Sequence, residues 1–336
     1  MSLPPPVNAA IFILTQNTPV RRCCLKSTLY FLFKHFNAAH RYPVVLLHEG
    51  DYDAHAQREI LVGVRASCRA LVSFQQLDAA DFEVPPHVDA DKMARCVALN
   101  VVPYWRTARY RLMCRFWLVH IWKYAAAYEY MMRLDDDSFI EEPIARDLFA
   151  WAKERDLVYA SNHVSLDCAL CNHGFKELLD GLYPAQADAV AAMFVPQELP
   201  MRAVQLHPFR SLLSLTESPL PAVPEKLKVW AMKYWYNNFF VTRVAFWRRP
   251  EVQAAARAFD ESGLIYYKRL GDAPMHTALV TLHARPEQVQ RAVFAYSKQM
   301  QRGAFVDDAG EAHAYMPETY DQSGCLAAAA QTTSVA

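Results

Sequence analysis

Tyr130-Met131-Met132-Arg133-Leu134-Asp135-Asp136-Asp137-Ser138-Phe139 is the stretch that decides the fold. An apolar run with the length of a buried strand ends on three consecutive carboxylates. Unpaired charge is too costly to carry into a core, so the strand stops there and the aspartates lie at the sheet edge. Open α/β sheets bind ligands outside the carboxyl ends of their strands. On a pleated chain Asp135 and Asp137 share one face and Asp136 takes the other. Such an Asp-x-Asp pair suits a hard divalent cation shared with a phosphate. A solvated acidic turn or a helix start is the plainer alternative.

Before that stretch the chain alternates strands and helices. Ala9–Thr15 is an apolar strand-length run. Thr18 and Pro19 cap a helix carrying Leu25, Leu29, Leu32 and Phe36. Tyr42–His48 is a second strand, Ala54–Val64 is helical, and Ala70–Phe74 is a third strand. This order predicts a parallel sheet with right-handed crossovers. The first strand-to-helix turn lacks Gly-x-Gly-x-x-Gly, which disfavours a dinucleotide-binding fold. Arg106–Tyr124 reads as a long helix, Asp156–Ala160 as a strand beside the Asp135 strand, and Asn162–Lys228 as an irregular excursion with short helices. Trp230–Val241 is densely aromatic around Asn237-Asn238. Pro250–Phe259 reads as a helix, Gly263–Tyr267 as a strand, and Met275-His276 as the start of the last apolar helix.

The 336 residues suffice for one large α/β domain, and a hydrophobic fraction of 53% supports a sizeable core. Lys plus Arg (35) equals Asp plus Glu (35), so the chain carries no basic footprint for nucleic acid. No window has the run of apolar residues that a membrane span needs. The eight cysteines are scattered. Cys168-x-x-Cys171 reads as a local disulfide or two inert thiols before it reads as a zinc site.

The motifs then join into a set. Asn17 follows the first strand, Phe36-Asn37 precedes the second, Tyr110–Phe116 leads to Met132–Asp137, and Asn238-Phe239 follows. Tyr266-Tyr267-Lys268-Arg269-Leu270-Gly271-Asp272-Ala273-Pro274-Met275-His276 closes it. From about residue 9 to 283 this resembles the fungal α-1,2-mannosyltransferases of glycosyltransferase family 15. The resemblance implies a GT-A fold with one Rossmann-like mixed sheet flanked by helices. It divides the chain into a flexible 1–8, a transferase domain over 9–320 (9–140 nucleotide-binding, 141–320 acceptor-side) and a flexible 321–336. It implies a GDP-mannose donor, a glycan or glycoprotein acceptor, Mn²⁺, retention of configuration, and action in the secretory pathway behind an N-terminal anchor that the sequence leaves open. Asp135 and Asp137 fall on the family's acidic-x-acidic motif and His276 on its metal-binding histidine, so Asp137 and His276 are the expected metal ligands. Tyr110 falls on a tyrosine of the donor and acceptor pocket. Asn17, Arg115, Asp135, Asn238 and Arg269 complete the expected substrate-binding set, and Asp272 is a catalytic candidate.

Two departures stand out. Where the family reads Ser-Asn-Phe-Glu, the chain has Asn237-Asn238-Phe239-Phe240; where it reads Tyr-Tyr-Glu-Arg-Trp-Gly, the chain has Lys268 and Leu270. The first removes an expected acid. With Phe240 in its place, Glu217 is the preferred carboxylate for a retaining transfer, ahead of Glu225. Another nucleotide-sugar donor, or a catalytically inactive domain binding a glycan or protein partner, are the alternatives.

Overall fold

The computed structural model describes residues 7–98, 107–200, 226–300 and 302–317. The strands are β1 (Ala9–Leu14), β2 (Val44–His48), β3 (Val72–Gln76), β4 (Tyr130–Leu134), β5 (Ser138–Ile140), β6 (Tyr159–Ser161) and β7 (Val164–Leu166). They continue as β8 (Phe194–Pro200), β9 (Lys226–Trp235), β10 (Phe239–Arg243), β11 (Val289–Arg291), β12 (Tyr296–Lys298), β13 (Ala304–Val306) and β14 (Ala312–Ala314). A seven-stranded mixed sheet runs β11-β6-β10-β4-β1-β2-β3, drawing on both halves of the chain. β1 pairs in parallel with both β2 and β4, as the strand–helix alternation predicts.

Antiparallel β10 lies between β4 and β6, so β6 is not the neighbour of β4 that the sequence reading expected. The cause is β10 itself: its Phe240-Val241-Thr242 run is buried on both faces and takes the central slot beside β4. Gly263–Tyr267 is also not a strand. Gly263 has φ +77, its carbonyl accepts from the amides of Tyr266 and Tyr267 at 3.0 and 2.9 Å, and Leu264–Lys268 closes as a wide helical turn. The excursion after Asn162 holds helices Phe175–Leu182 and Ala187–Ala192 and a small sheet of β7, β9 and β8.

The pleat of β4 sorts the two cores. Tyr130, Met132 and Leu134 face the Pro19–Leu32 helix, where Leu25, Leu29 and Leu32 have no exposed surface. Each of those leucines contributes roughly 1.5–3 kcal/mol by burial. That helix starts as predicted: the Thr18 hydroxyl accepts from the Arg21 amide and Pro19 occupies the first turn. Met131 faces the other core with Trp117, Phe240, Trp247 and the Asp272–His283 helix.

Candidate active site

β4 ends on Leu134, and its last pairing is with Phe239 at the start of β10. The ladder runs one step further: the Asp135 amide donates to the Asn238 carbonyl at 2.9 Å. That register sets the Asn238 side chain beside Asp135, and its amide donates to Asp135 Oδ2. Arg133 is directed to the same face, with its Nε 2.9 Å from Asp135 Oδ1 and its guanidinium 4.1 Å from the centre of the Trp117 ring. Asp136 and Asp137 lie in the turn between β4 and β5, and Arg21 Nη1 meets both carboxylates, so strand alternation does not separate these two. The Asp136 carboxylate accepts from Arg21 at 2.9 Å and from the Thr15 hydroxyl at 3.1 Å, while its carbonyl accepts from Thr28.

The chain returns to this edge much later. β12 pairs with β5 so that Lys298 lies opposite Ser138, and the Gln299 amide donates to the Asp137 carbonyl at 3.0 Å. The Lys298 ammonium then lies 3.0 Å from Asp135 Oδ2 and 3.3 Å from Asp137 Oδ1. Arg21 and the Gln299 amide reach Asp137 Oδ2 at 3.2 and 2.9 Å. Burial opposes ionisation of Asp137, but Lys298, Arg21 and Gln299 outweigh it and hold its carboxyl at about 2. For Asp136 burial wins over Arg21, helped by the neighbouring Asp137, and the carboxyl is pushed up to about 6. Lys298 is held in its charged form: burial works against it, and Asp137 and Asp135 raise its pKa well above the ordinary lysine value.

The Gly-Asp-Ala-Pro-x-His motif reaches the cluster through Asp272. Its carboxylate lies 2.5 Å from Arg133 Nη1 and accepts from the Asn237 side chain at 2.8 Å. Burial would raise its pKa, yet Arg133, His276 and Asn237 bring it below the usual carboxylate range. One turn on, His276 is completely buried. Its Nε2 lies 3.0 Å from the Trp117 carbonyl, and Trp247, Phe240 and Trp122 surround the ring at 4.7, 5.6 and 6.2 Å. Burial lowers its pKa to about 4, so the imidazole is neutral. Its Nδ1 is buried with no hydrogen-bond partner, and the buried Asp137 Oδ1 meets Lys298 as an ion pair at 3.3 Å and not through a hydrogen bond; both atoms are suggestive of a ligand. Yet among the described residues no three His, Cys, Asp or Glu side chains converge on one point. Asp135 and Asp137 come together, His276 does not join them, and an Mn²⁺ site built from that expected set does not fit.

Phe240, at the position of the expected acid, is fully buried against Trp117, Tyr159 and His276. Glu217 and Glu225 lie outside the described residues. Asn17 is fixed at the end of β1 by Asp51, which accepts from its amide at 2.7 Å, and by Arg22 at 2.6 Å. Arg115 is turned away from the edge, with its Nε 3.2 Å from Asp260 and Nη1 2.6 Å from His120. Arg269 lies 5.7 Å over the Tyr110 ring and donates to Cys171 Sγ. Cys168 and Cys171 are free thiols, and a hydrogen bond from Cys171 lowers the Cys168 thiol to about 6. A groove of about 580 Å³ lies at the opposite end of β4, lined by Tyr128, Lys153, Asp156 and Arg243, and holds none of the expected site residues.

The sequence reading missed Arg21, Arg133, Lys298 and Gln299. Arg133 carried a signal, being a lone cation inside an apolar strand. Lys298 carried none, because only the β12–β5 pairing brings it to the edge.

A mixed sheet with an acidic pair at the carboxyl edge of a central parallel strand, at the end of alternating β/α units, defines a GT-A glycosyltransferase fold. Solved structures of that fold agree. The mannosyltransferase Ktr4p from Saccharomyces cerevisiae superposes with a TM-score of 0.69 over 87% of this chain and 70% of that one, at 16% identity. Core-mannan synthase A from Aspergillus fumigatus, in an Mn/GDP form, gives 0.67 over 86% and 74%, at 18% identity.

Residues 5–171 match the family model described as glycolipid 2-alpha-mannosyltransferase. The O-glycoside alpha-1,2-mannosyltransferase omh1 of Schizosaccharomyces pombe is 23% identical over 84% of this chain and 66% of its own length. The glycolipid 2-alpha-mannosyltransferase of Saccharomyces cerevisiae is 22% identical over 79% and 55%. The chain belongs to this mannosyltransferase family, and it spans between about half and two thirds of the length of those two relatives. Among the described residues no helix is long and apolar enough to cross a membrane.

Proposed function

We propose that the chain moves a mannosyl group from GDP-mannose to a sugar hydroxyl of a glycan or glycoprotein, with retention of configuration, in the secretory pathway. The observation that carries this reading is the acid-x-acid motif at the carboxyl edge of β4, in a chain of this family. GDP in the Ktr4p complex and in the Aspergillus relative supports the donor class. Manganese is supported by the Aspergillus relative alone.

Among the described residues the arrangement is that of same-face attack; Glu217 and Glu225, the carboxylates of a covalent route, lie outside them. Phe240 is sealed in an aromatic core, so no carboxylate stands at the position of the family's acid. The donor C1–O bond breaks, and its electron pair goes to the β-phosphate oxygen. The acceptor hydroxyl oxygen forms the new C1–O bond on the same face, and its proton passes to the departing phosphate. The protein's part is to orient both sugars and to stabilise charge on the leaving group. Asp135, fixed by Arg133 and Asn238, and Asp272, fixed by Arg133 and Asn237, are rigid acceptors for sugar hydroxyls.

A donor panel read by thermal shift tests the assignment, since a ligand of the native state stabilises by mass action. GDP and GDP-mannose are expected to raise Tm, and UDP-sugars to leave it unchanged. A shift with UDP-sugars alone would reject the mannose donor. Phe240 also favours a second reading, an inactive domain that binds a glycan or protein partner. Donor binding without transfer to any mannoside would select it.

A further inference from the structure

We propose that Lys298 and Arg21 take the place of a divalent cation at this sheet edge: the donor diphosphate binds directly to their ammonium and guanidinium groups, and Asp135 and Asp137 hold Lys298 rather than a metal. The inference rests on the nucleotide-sugar reading above.

Three of the four carboxylate oxygens that a metal would need accept hydrogen bonds from protein donors, and the fourth, Asp137 Oδ1, faces the Lys298 ammonium as an ion pair. Asp135 Oδ1 accepts from Arg133, and its Oδ2 from Lys298 and Asn238. Asp137 Oδ1 faces Lys298, and its Oδ2 accepts from Arg21 and Gln299. A hard dication demands several such oxygens at once, and it would have to enter against an ammonium about 3 Å from both carboxylates. Lys298 is no loosely hanging side chain. Its strand pairs with β5, and Gln299 is bonded to Asp137 through both backbone and side chain.

Exposure points the same way. The Arg21 and Lys298 side chains are 36% and 28% exposed, against 2% for Asp137 and 17% for Asp135. A ligand reaching this edge therefore meets cations first, with the carboxylates behind them. That surface suits a diphosphate, whose oxygens accept charge-assisted hydrogen bonds from ammonium and guanidinium groups. The same two groups stabilise the β-phosphate oxygen that receives the electron pair when C1–O breaks.

The test reads metal and nucleotide separately. Mn²⁺ binding is followed through the free-ion EPR signal for the wild-type chain, Asp137→Asn, Lys298→Ala, Lys298→Arg and the double variant Lys298→Ala/Asp137→Asn. Folding is checked by circular dichroism. GDP binding is measured by calorimetry, with chelator and with Mn²⁺. The wild-type chain and Lys298→Arg are expected to bind no stoichiometric Mn²⁺. Lys298→Ala should gain one site, at least ~10-fold tighter than any in the wild type, that Asp137→Asn removes. Wild-type GDP affinity should be the same with chelator or Mn²⁺, and Lys298→Ala should lower it roughly 10- to 100-fold in chelator.

One Mn²⁺ per wild-type chain, lost in Asp137→Asn, would overturn the proposal even if Lys298→Ala did not fold. So would a folded Lys298→Ala chain that gains no site. GDP binding that appears only with Mn²⁺ would overturn it while leaving the donor reading intact. GDP that binds under neither condition removes the donor reading, and the phosphate role of Lys298 with it.

Discussion

Arg133 Nη1 meets Asp272 Oδ2 at 2.5 Å with both side chains buried, tying the end of β4 to the first turn of the last long helix. Removing one partner leaves the other charge buried without compensation, which costs about 3–5 kcal/mol. Asp272→Ala should therefore lower Tm sharply. The double variant Arg133→Met/Asp272→Leu should recover part of the loss, because the apolar pair removes both buried charges but leaves the Asn237 amide without its acceptor. Thermal melts of the single and double variants check this; equal losses in both would contradict it.

Phe240 fills the position of the expected acid, and restoring that acid is expected to fail. In Phe240→Glu a carboxylate would lie against Trp117, Tyr159 and His276, and Arg133, its partner across the strands, is already engaged by Asp135 and Asp272. Burying it costs several kcal/mol or forces it to stay protonated. The variant should lose stability and gain no transfer rate. Denaturant titration and a transfer assay read the two effects, and a faster, stable variant would refute the packing argument.

His276 makes stability depend on pH. Its folded pKa, about 4, lies below the ordinary 6.5 because burial disfavours the charged ring, with Asp272 opposing and Arg133 assisting. The neutral form is the folded form, so its contribution is complete above pH 6.5 and is lost as pH falls toward 4. The full difference is about 3 kcal/mol. Asp136, raised to about 6, acts in the opposite direction below pH 6. The useful quantity is therefore the difference between wild type and His276→Phe, which should shrink by about that amount between pH 7 and 4. A difference independent of pH would contradict the neutral buried ring.

Asp137 behaves in the reverse sense. Its pKa, about 2, lies below the ordinary carboxylate value of 3.8, because Lys298 and Arg21 outweigh burial. Its ionised form contributes about 2 kcal/mol above pH 4, lost as pH falls through 2. Asp137→Asn should cost that much at neutral pH and should reduce transfer roughly 100-fold by releasing Lys298. Unchanged turnover in a folded Asp137→Asn would remove this edge from the reaction.

Much of this was legible in the chain. The apolar run into Asp135-Asp136-Asp137 located a sheet edge, but the expected alternation of Asp136 against Asp137 gave way to a turn in which Arg21 meets both carboxylates. Thr18-Pro19 marked a helix start that the structure contains. The Gly263–Tyr267 turn was misread because four apolar residues in a row suit a strand as well as a buried helical turn, and only the glycine at positive φ decides. The position of β10 was hidden because sequence order says nothing about which strand takes the central slot. Motif matching could not show that His276 and Phe240 share one aromatic pocket, since that follows from the packing of β10 against the last long helix. Lys298 was invisible for the same reason: no local pattern announces a cation brought back by a three-residue strand.

The most direct measurement is transfer itself. The chain is incubated with GDP-mannose and methyl α-mannoside, and the product is read by NMR for linkage and anomeric configuration. The account predicts release of GDP together with an α-linked mannosyl-mannoside. A folded, GDP-binding chain that yields no product, or yields a β-linked one, would contradict it.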